Sequence, residues 1–483
     1  MVFSSPLFLF LFLPIALTGC LCLPGTRPRN TWLLLVSIIF YAWGEVVFVL
    51  LMLASTLINY FLGLWMDRQR EPSGRRLVVA LAIVLNIGLL AFFKYANFVV
   101  ATLNGGLQGL HLRPWPSPNI PLPIGISFFT FHALSYIIDI YRRKWKAARN
   151  PQDVALYIFF FPQLIAGPIL RWSAIAPQLV QRAATLERFA EGVRRFISGL
   201  AKKVMVANVV AMPADQIFHL PANELTGPLA WFGILCYSLQ IYFDFSGYSD
   251  MAVGLGKMLG FEFLENFNFP YVAQSIKDFW RRWHISLSTW FRDYLYIPMG
   301  GNRCSERRNY LNLLIVFFLC GLWHGASWTF VVWGLYHGVF LVLERTRFGG
   351  LVEGLPRPLR HAYALVVVMI GWVLFRADSF SLAVTFLRAM CGFAHASAPQ
   401  ALGRYLTHEV ALSLALGILF SMPLWPWLRR KMGQLLQAVP APNRSAVEVG
   451  GVLMETGLLA AVFCISAAWL ASGTYNPFIY FRF

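Results

Sequence analysis

Apolar runs long enough to cross a bilayer recur from one end of this chain to the other, and no other feature constrains its fold as much. They fall at about 6–24, 31–43, 46–66, 77–100, 121–141, 152–170, 228–243, 309–322, 327–345, 362–376, 408–428 and 450–472. About 20 apolar residues span the hydrocarbon core as a helix, where every backbone polar group has to be satisfied within the protein. The 483 residues are 58% hydrophobic and 13% charged, against roughly 45–50% and about 25% in soluble domains. The expectation is an all-α polytopic membrane protein, a single domain over 1–483, with roughly 11 transmembrane helices plus re-entrant or interfacial helices. No polar stretch is long enough to build a separate core.

The formal net charge is +18, from 40 Lys and Arg against 22 Asp and Glu. In a soluble protein that balance points to nucleic acid. Here the basic residues sit in short runs between apolar segments, as in cytoplasmic loops: Arg27 and Arg29; Arg68, Arg70, Arg75 and Arg76; Arg142, Arg143, Lys144, Lys146 and Arg149; Arg429, Arg430 and Lys431. The connections near Gly44-Glu45 and at about 101–120 are nearly free of Lys and Arg. That alternation puts the N-terminus outside and the basic loops in the cytoplasm, facing membrane lipids or a phosphorylated donor, with no role for nucleic acid. The first apolar run lacks a basic n-region and an evident cleavage site, so it reads as a retained helix rather than a removed signal. Seven scattered cysteines give neither a disulfide framework nor zinc-ligand spacing.

Two stretches break the pattern. Residues 189–210 mix Arg194, Arg195, Lys202 and Lys203 with Phe196, Leu200 and Val204 at helical spacing, which predicts an interfacial helix lying flat on the cytoplasmic face. Residues 271–296 combine Trp280, Trp283 and Trp290 with Arg281, Arg282, His284, Arg292 and Asp293. A segment this charged must be buried in protein or line a wet cavity.

Chemistry concentrates at two histidines. His324 follows an apolar run and is flanked by Gly321, Trp323 and Gly325. An ionisable side chain at membrane depth marks a functional site by default, and imidazole takes and returns protons near neutral pH. The glycines would admit a substrate or another backbone, and Trp323 offers an apolar wall. The plainer reading of His324 is an interhelical hydrogen bond. His284, after Arg281-Arg282-Trp283, could assist it or serve structure at an interface, and the two arginines could hold a phosphate. His337 reads as structural. In the polar patch 242–251, Asp244 and Asp250 could bind a cation or order the nearby Arg and His residues, and pairing with those arginines suits two isolated carboxylates better. Lys94 is placed near a helix end, snorkelling to the interface. The catalytic candidates are His324 and His284. The substrate-binding candidates are Arg281, Arg282, Trp283, Trp323, Asp244, Asp250 and Asn302, the last in the Gly/Pro-rich turn 298–303. No metal site is expected. A Gly-x-Ser-x-Gly elbow, a P-loop, a dinucleotide fingerprint and a His-x-x-x-x-Asp motif are all missing.

The strings at 1–5, 93–98, 122–128, 164–168, 242–252, 279–290 and 321–326 together resemble the membrane-bound O-acyltransferase (MBOAT) family, with the core motifs at about 90–345. Within it the nearest likeness is to alginate O-acetyltransferase membrane subunits. The resemblance implies helices around a central cavity, with His324 as the catalytic histidine and His284 as the second family histidine. It implies no bound cofactor, acetyl-CoA or another cytoplasmic acetyl donor as co-substrate, and periplasmic SGNH-type acetyltransferase partners. The implied setting is the bacterial inner membrane and the implied task O-acetylation of an exported polysaccharide: alginate first, cellulose or another exopolysaccharide next. Departures at 41–45 and after about 345 leave the polymer open. Two alternatives stand beside this reading: acyl transfer to a lipid or cell-wall polymer, and a proton-coupled export component in which the histidines relay protons.

Overall fold

The computed structural model describes residues 1–483 except 395, 439, 474 and 480–483, and the described residues are helical with no strand. In chain order, the helices used below are α1 (Phe8–Cys22), α2 (Thr26–Ala42), α3 (Phe48–Arg68), α4 (Pro72–Gly109), α5 (Ile126–Tyr141), α6 (Leu186–Phe218) and α7 (Gly227–Met258). Then follow α8 (Ile276–Arg282), α9 (Ile285–Phe291), α10 (Glu306–His324), α11 (Trp328–Leu343), α12 (Arg357–Arg376), α13 (His408–Phe420), α14 (Leu424–Ala438) and α15 (Ala441–Ala471).

Among the described residues, five helices are long and apolar enough to cross a membrane: α3, α4, α6, α12 and Ser445–Ala471 within α15. The pair α13 and α14, bent by 63°, makes up to six if it counts as one span. The expected eleven is therefore not reached by length and composition. Several apolar runs are short helices, α1, α5 and α11 among them. The run at 152–170 is divided between Pro151–Phe159 and Phe161–Leu164, with Pro162 in the first turn of the second piece, where its missing N–H costs nothing. Its several apolar helices nonetheless mark a multi-pass membrane protein.

Residues 189–210 do not form a flat interfacial helix. They lie within α6, which runs 33 residues and is largely buried. Its interior face is set by two glycines that meet two glycines of α7 in antiparallel register. A Cβ on Gly192 would lie 2.6 Å from the Gly254 carbonyl oxygen, and one on Gly199 would lie 2.5 Å from that of Gly247. Small residues seven apart on each helix let the backbones touch, the contact that drives helix association where lipid offers no hydrophobic gain. The basic residues that suggested an interface are instead paired with carboxylates: Arg195 and Lys202 with Asp250, and Lys203 with Asp244.

The α4 helix rises about 57 Å at ~1.5 Å per residue, well beyond the ~30 Å hydrocarbon core. Near its start, buried Arg75 donates to the carbonyls of Met66, Ile140 and Tyr141, which ties α3, α4 and α5 at one end. Midway, Asn86 and Asn59 exchange hydrogen bonds across α3 and α4. Near its far end, Asn97 and Asn104 hold the following loop through the backbones of Ile120 and Trp115. The segment 271–296 breaks into α8, α9 and a short π-turn, with Trp280, Trp283, His284 and Trp290 buried in protein while Arg281 and Arg292 stay exposed.

Candidate active site

His324 is the last residue of α10. The chain leaves the helix at Gly325 in an extended conformation and starts α11 after Ser327. The two helices pack closely because Gly321 and Gly334 face the other helix's backbone at the Phe330 and Phe317 carbonyls, and Gly325 faces the Phe330 ring. Gly321 and Gly325, expected to admit a substrate or a second backbone, admit the neighbouring helix. The hairpin thereby fixes His324 in place.

The imidazole is 6% exposed. Three aromatic rings meet it at steep angles: Trp323 at 4.9 Å, Trp333 at 5.0 Å and Phe375 at 5.3 Å. Among the described residues it has no hydrogen-bond partner, so the interhelical hydrogen bond of the plainer reading is not formed with them. One side of the ring borders a cavity of about 230 Å³ that Lys94, residues 122–128, Ile165 and Trp323 also line. On the other side it meets a void of about 10 Å³ against Phe245, Trp283, Trp372 and Ile479. A further cavity, of about 320 Å³, shares Lys94 and Leu122 with the first and reaches Ser327, Arg376 and Asp378.

His284 is fully buried and holds a left-handed backbone, φ +43°. Asn266 fixes that turn. Its side-chain oxygen lies 3.1 Å from His284 Nδ1 and accepts from the Ser286 N–H and hydroxyl, while its carbonyl accepts from the Ile285 N–H. The Nε2 atom has no partner among the described residues. The Trp323 indole stands beside both imidazoles, 6.2 Å from His284 and 4.9 Å from His324. Trp283 and Trp323 are thus brought to His324. His337 is fully buried, one Trp333 ring away from His324.

The remaining candidates lie elsewhere or are already occupied. Arg281 is exposed, and Arg282 pairs with Asp278 one turn away. Asn302 accepts from Tyr296 and Asn309 near the opposite end of α10, and Asn309 lies about 22 Å along the helix from His324 at ~1.5 Å per residue. Asp250 is held by Arg195 and Lys202, and Asp244 by Lys203 at 2.6 Å. The basic partners come from α6, not from Arg281 and Arg282.

Two contributors escaped the sequence reading. Lys94 does not snorkel to an interface. It is 6% exposed within α4 and donates to the Trp323 carbonyl and to Ser127 Oγ. The second contributor is the stretch 475–479. Asn476 donates to the Ser4 carbonyl, Pro477 accepts from Lys203, and the Ile479 N–H donates to Asp244. Ile479 thereby closes the small void beside His324. For Lys94, the available signal was an unbroken helical pattern running on to residue 109, which puts the lysine in mid-helix. For 475–479, a short polar-aromatic stretch beyond the last apolar run gives no periodicity to read.

An imidazole with no partner among the described residues, between a cavity and an aromatic wall inside an all-helical membrane protein, fits a class defined by acyl transfer within the bilayer. Residues 149–381 match the membrane-bound O-acyltransferase family, and the chain belongs to that family. It is 42% identical over 504 residues to the protein of Azotobacter vinelandii named "Probable alginate O-acetylase AlgI", covering 100% of both chains. A protein of the same name in Pseudomonas aeruginosa is 48% identical over 395 residues, 81% of this chain and 75% of that one. The "Peptidoglycan O-acetyltransferase" of Helicobacter pylori is 36% identical, over 81% of this chain and 80% of that one.

Proposed function

We propose that this protein is an O-acetyltransferase of the bacterial inner membrane that serves the O-acetylation of an exported polysaccharide. Alginate is the first choice, and cellulose or another exopolysaccharide the next. The observation that carries the reading is His324: a buried imidazole, without a hydrogen-bond partner among the described residues, bordering a cavity of about 230 Å³, in a chain alignable end to end with a protein named "Probable alginate O-acetylase AlgI". In this reading acetyl-CoA or another cytoplasmic acetyl donor supplies the group, no cofactor stays bound, and SGNH-type periplasmic acetyltransferases carry acetyl on to the polymer. His324 takes the proton of the attacking hydroxyl as general base and returns it to the leaving group. The aromatic walls exclude competing water. His284 assists from the far side of Trp323, with Asn266 setting its orientation.

The test is His324→Ala, with membrane levels of the protein and O-acetyl content of secreted polysaccharide measured together. Loss of acetyl with normal protein and normal polymer export supports the reading. Normal acetyl content refutes it, and arrested export favours transport instead. The Helicobacter relative favours one alternative acceptor, a cell-wall polymer; acetyl on peptidoglycan that disappears in the same variant would select it.

A further inference from the structure

Lys94 has no part in the reaction as described so far, yet it is the one basic side chain shared by both larger cavities beside His324. An ammonium has three N–H donors. Two are used, on the Trp323 carbonyl and on Ser127 Oγ at 3.2 Å, which leaves one for whatever fills the cavity. The same cavity is lined by Gly125, Ile126 and Ser127, the beginning of α5. That 16-residue helix starts at Gly125 in a left-handed turn, φ +77°; the Ile126 and Phe128 N–H groups are taken up by the Pro123 and Gly125 carbonyls, but the helix dipole still favours negative charge at that end. A buried cation, a helix N-terminus and an imidazole without a partner among the described residues therefore converge on one space.

We propose that Lys94 is a catalytic residue: its ammonium, with the start of α5, stabilises the oxyanion of the acyl-transfer intermediate formed beside His324. The proposal rests on the acyl-transfer reading above. His324 removes the hydroxyl proton, and the freed oxygen pair forms a bond to the acetyl carbonyl carbon. The carbonyl π pair moves onto its oxygen, which accepts a hydrogen bond from Lys94. Collapse re-forms the C=O bond and breaks the C–S bond; the sulfur leaves with the electron pair and takes the proton from the imidazolium. Preorganised donors aimed at developing charge in a water-poor site are the strongest single device available to acyl transfer. The competing role is structural. Lys94 and Tyr95 both tie α4 to the end of α10, Tyr95 through the Leu322 carbonyl at 2.7 Å.

The experiment compares Lys94→Met, Lys94→Ala, Tyr95→Phe and His324→Ala in membranes from polysaccharide-producing cells. It follows labelled acetyl-CoA into polymer at matched protein levels, with the thermal midpoint of each purified variant recorded. Lys94→Met is expected to lower the maximal rate roughly 10²–10³-fold, the usual loss for an oxyanion donor, with the KM for acetyl-CoA little changed. Tyr95→Phe, which loosens the same helix end without removing charge, should lose far less. Propylammonium, which fits the missing side chain, should restore part of the Lys94→Ala rate. The proposal is overturned if Lys94→Met keeps a third or more of the rate, or if Tyr95→Phe falls as far. It is also overturned if propylammonium restores nothing. A fully active His324→Ala would instead overturn the acyl-transfer reading, whereas an inactive His324→Ala beside an active Lys94→Met removes only the role of Lys94.

Discussion

The buried pair Lys203–Asp244 permits a quantitative test of how this protein tolerates charge in its interior. Both side chains are 2% exposed and the ions lie 2.6 Å apart. Each also holds the stretch that closes the chamber, Lys203 through the Pro477 carbonyl and Asp244 through the Ile479 N–H at 2.8 Å. Lys203→Met removes one ion and keeps the volume. It leaves the carboxylate buried and uncompensated, a loss worth about 3–5 kcal/mol. Lys203→Met combined with Asp244→Asn removes both charges and keeps an acceptor for Ile479, so only the hydrogen bond to Pro477 is forfeited, about 1 kcal/mol. The double variant should therefore be more stable than the Lys203→Met single by about 2 kcal/mol or more, taken as the difference of those two costs. Unfolding of the purified full-length protein in mixed micelles of increasing denaturing-detergent content measures the free energies. A Lys203→Met loss below about 1 kcal/mol, or a double variant no better than the single, would refute the reasoning.

Further tests follow from other contacts. Gly199→Ala places a methyl 2.5 Å from the Gly247 carbonyl and should cost about 1–3 kcal/mol through forced separation of α6 and α7, read as a lower thermal midpoint; an unchanged midpoint would contradict the close packing. Asn266→Ala strips the shared acceptor from His284 Nδ1 and Ser286, a loss of about 1–3 kcal/mol, and acetyl transfer should fall further than protein level does. At Asp293, outside the spanning helices, burial pushes the carboxyl up, but the Arg292 hydrogen bond and the Arg171 charge outweigh it and hold the group below its usual value. That stabilisation is complete above the unfolded pKa of about 3.9 and is lost as pH falls through the lower folded value. Asp293→Asn should therefore lower stability at neutral pH and flatten the midpoint's dependence on pH below about 4; an unchanged acid profile would sink this account.

Much of the architecture was legible because membrane helices declare themselves by composition. The apolar runs and the helical class follow from the cost of exposing polar groups to lipid, whereas in 271–296 the tryptophans and His284 are buried and Arg281 and Arg292 stay exposed. The burial of His284 and His324 was legible for the same reason. Residues 189–210 were misread because amphipathicity does not specify what covers the polar side. The structure covers it with carboxylates of α7, and the deciding signal was the spacing of Gly192 and Gly199 against Gly247 and Gly254. Lys94 was misplaced because an apparent end to an apolar run is not the end of a helix. The pairing of Asp244 with Lys203 and the approach of Ile479 to His324 join positions 41 and more than 150 residues apart, and no local pattern encodes such encounters.

The left-handed backbone of His284 bears on how its role should be measured. A φ of +43° costs a residue with a Cβ about 1–2 kcal/mol, and asparagine and glycine bear it better than alanine does. Replacing His284 with alanine would remove an imidazole and also leave a side chain with no means of supporting the turn, so two losses would enter one number. His284→Asn keeps a residue at home in that conformation and deletes the ring; His284→Gly deletes the ring with no steric penalty at that φ, at the cost of a more flexible unfolded chain. The gap between those variants and His284→Ala separates the work of the ring from the work of the bend.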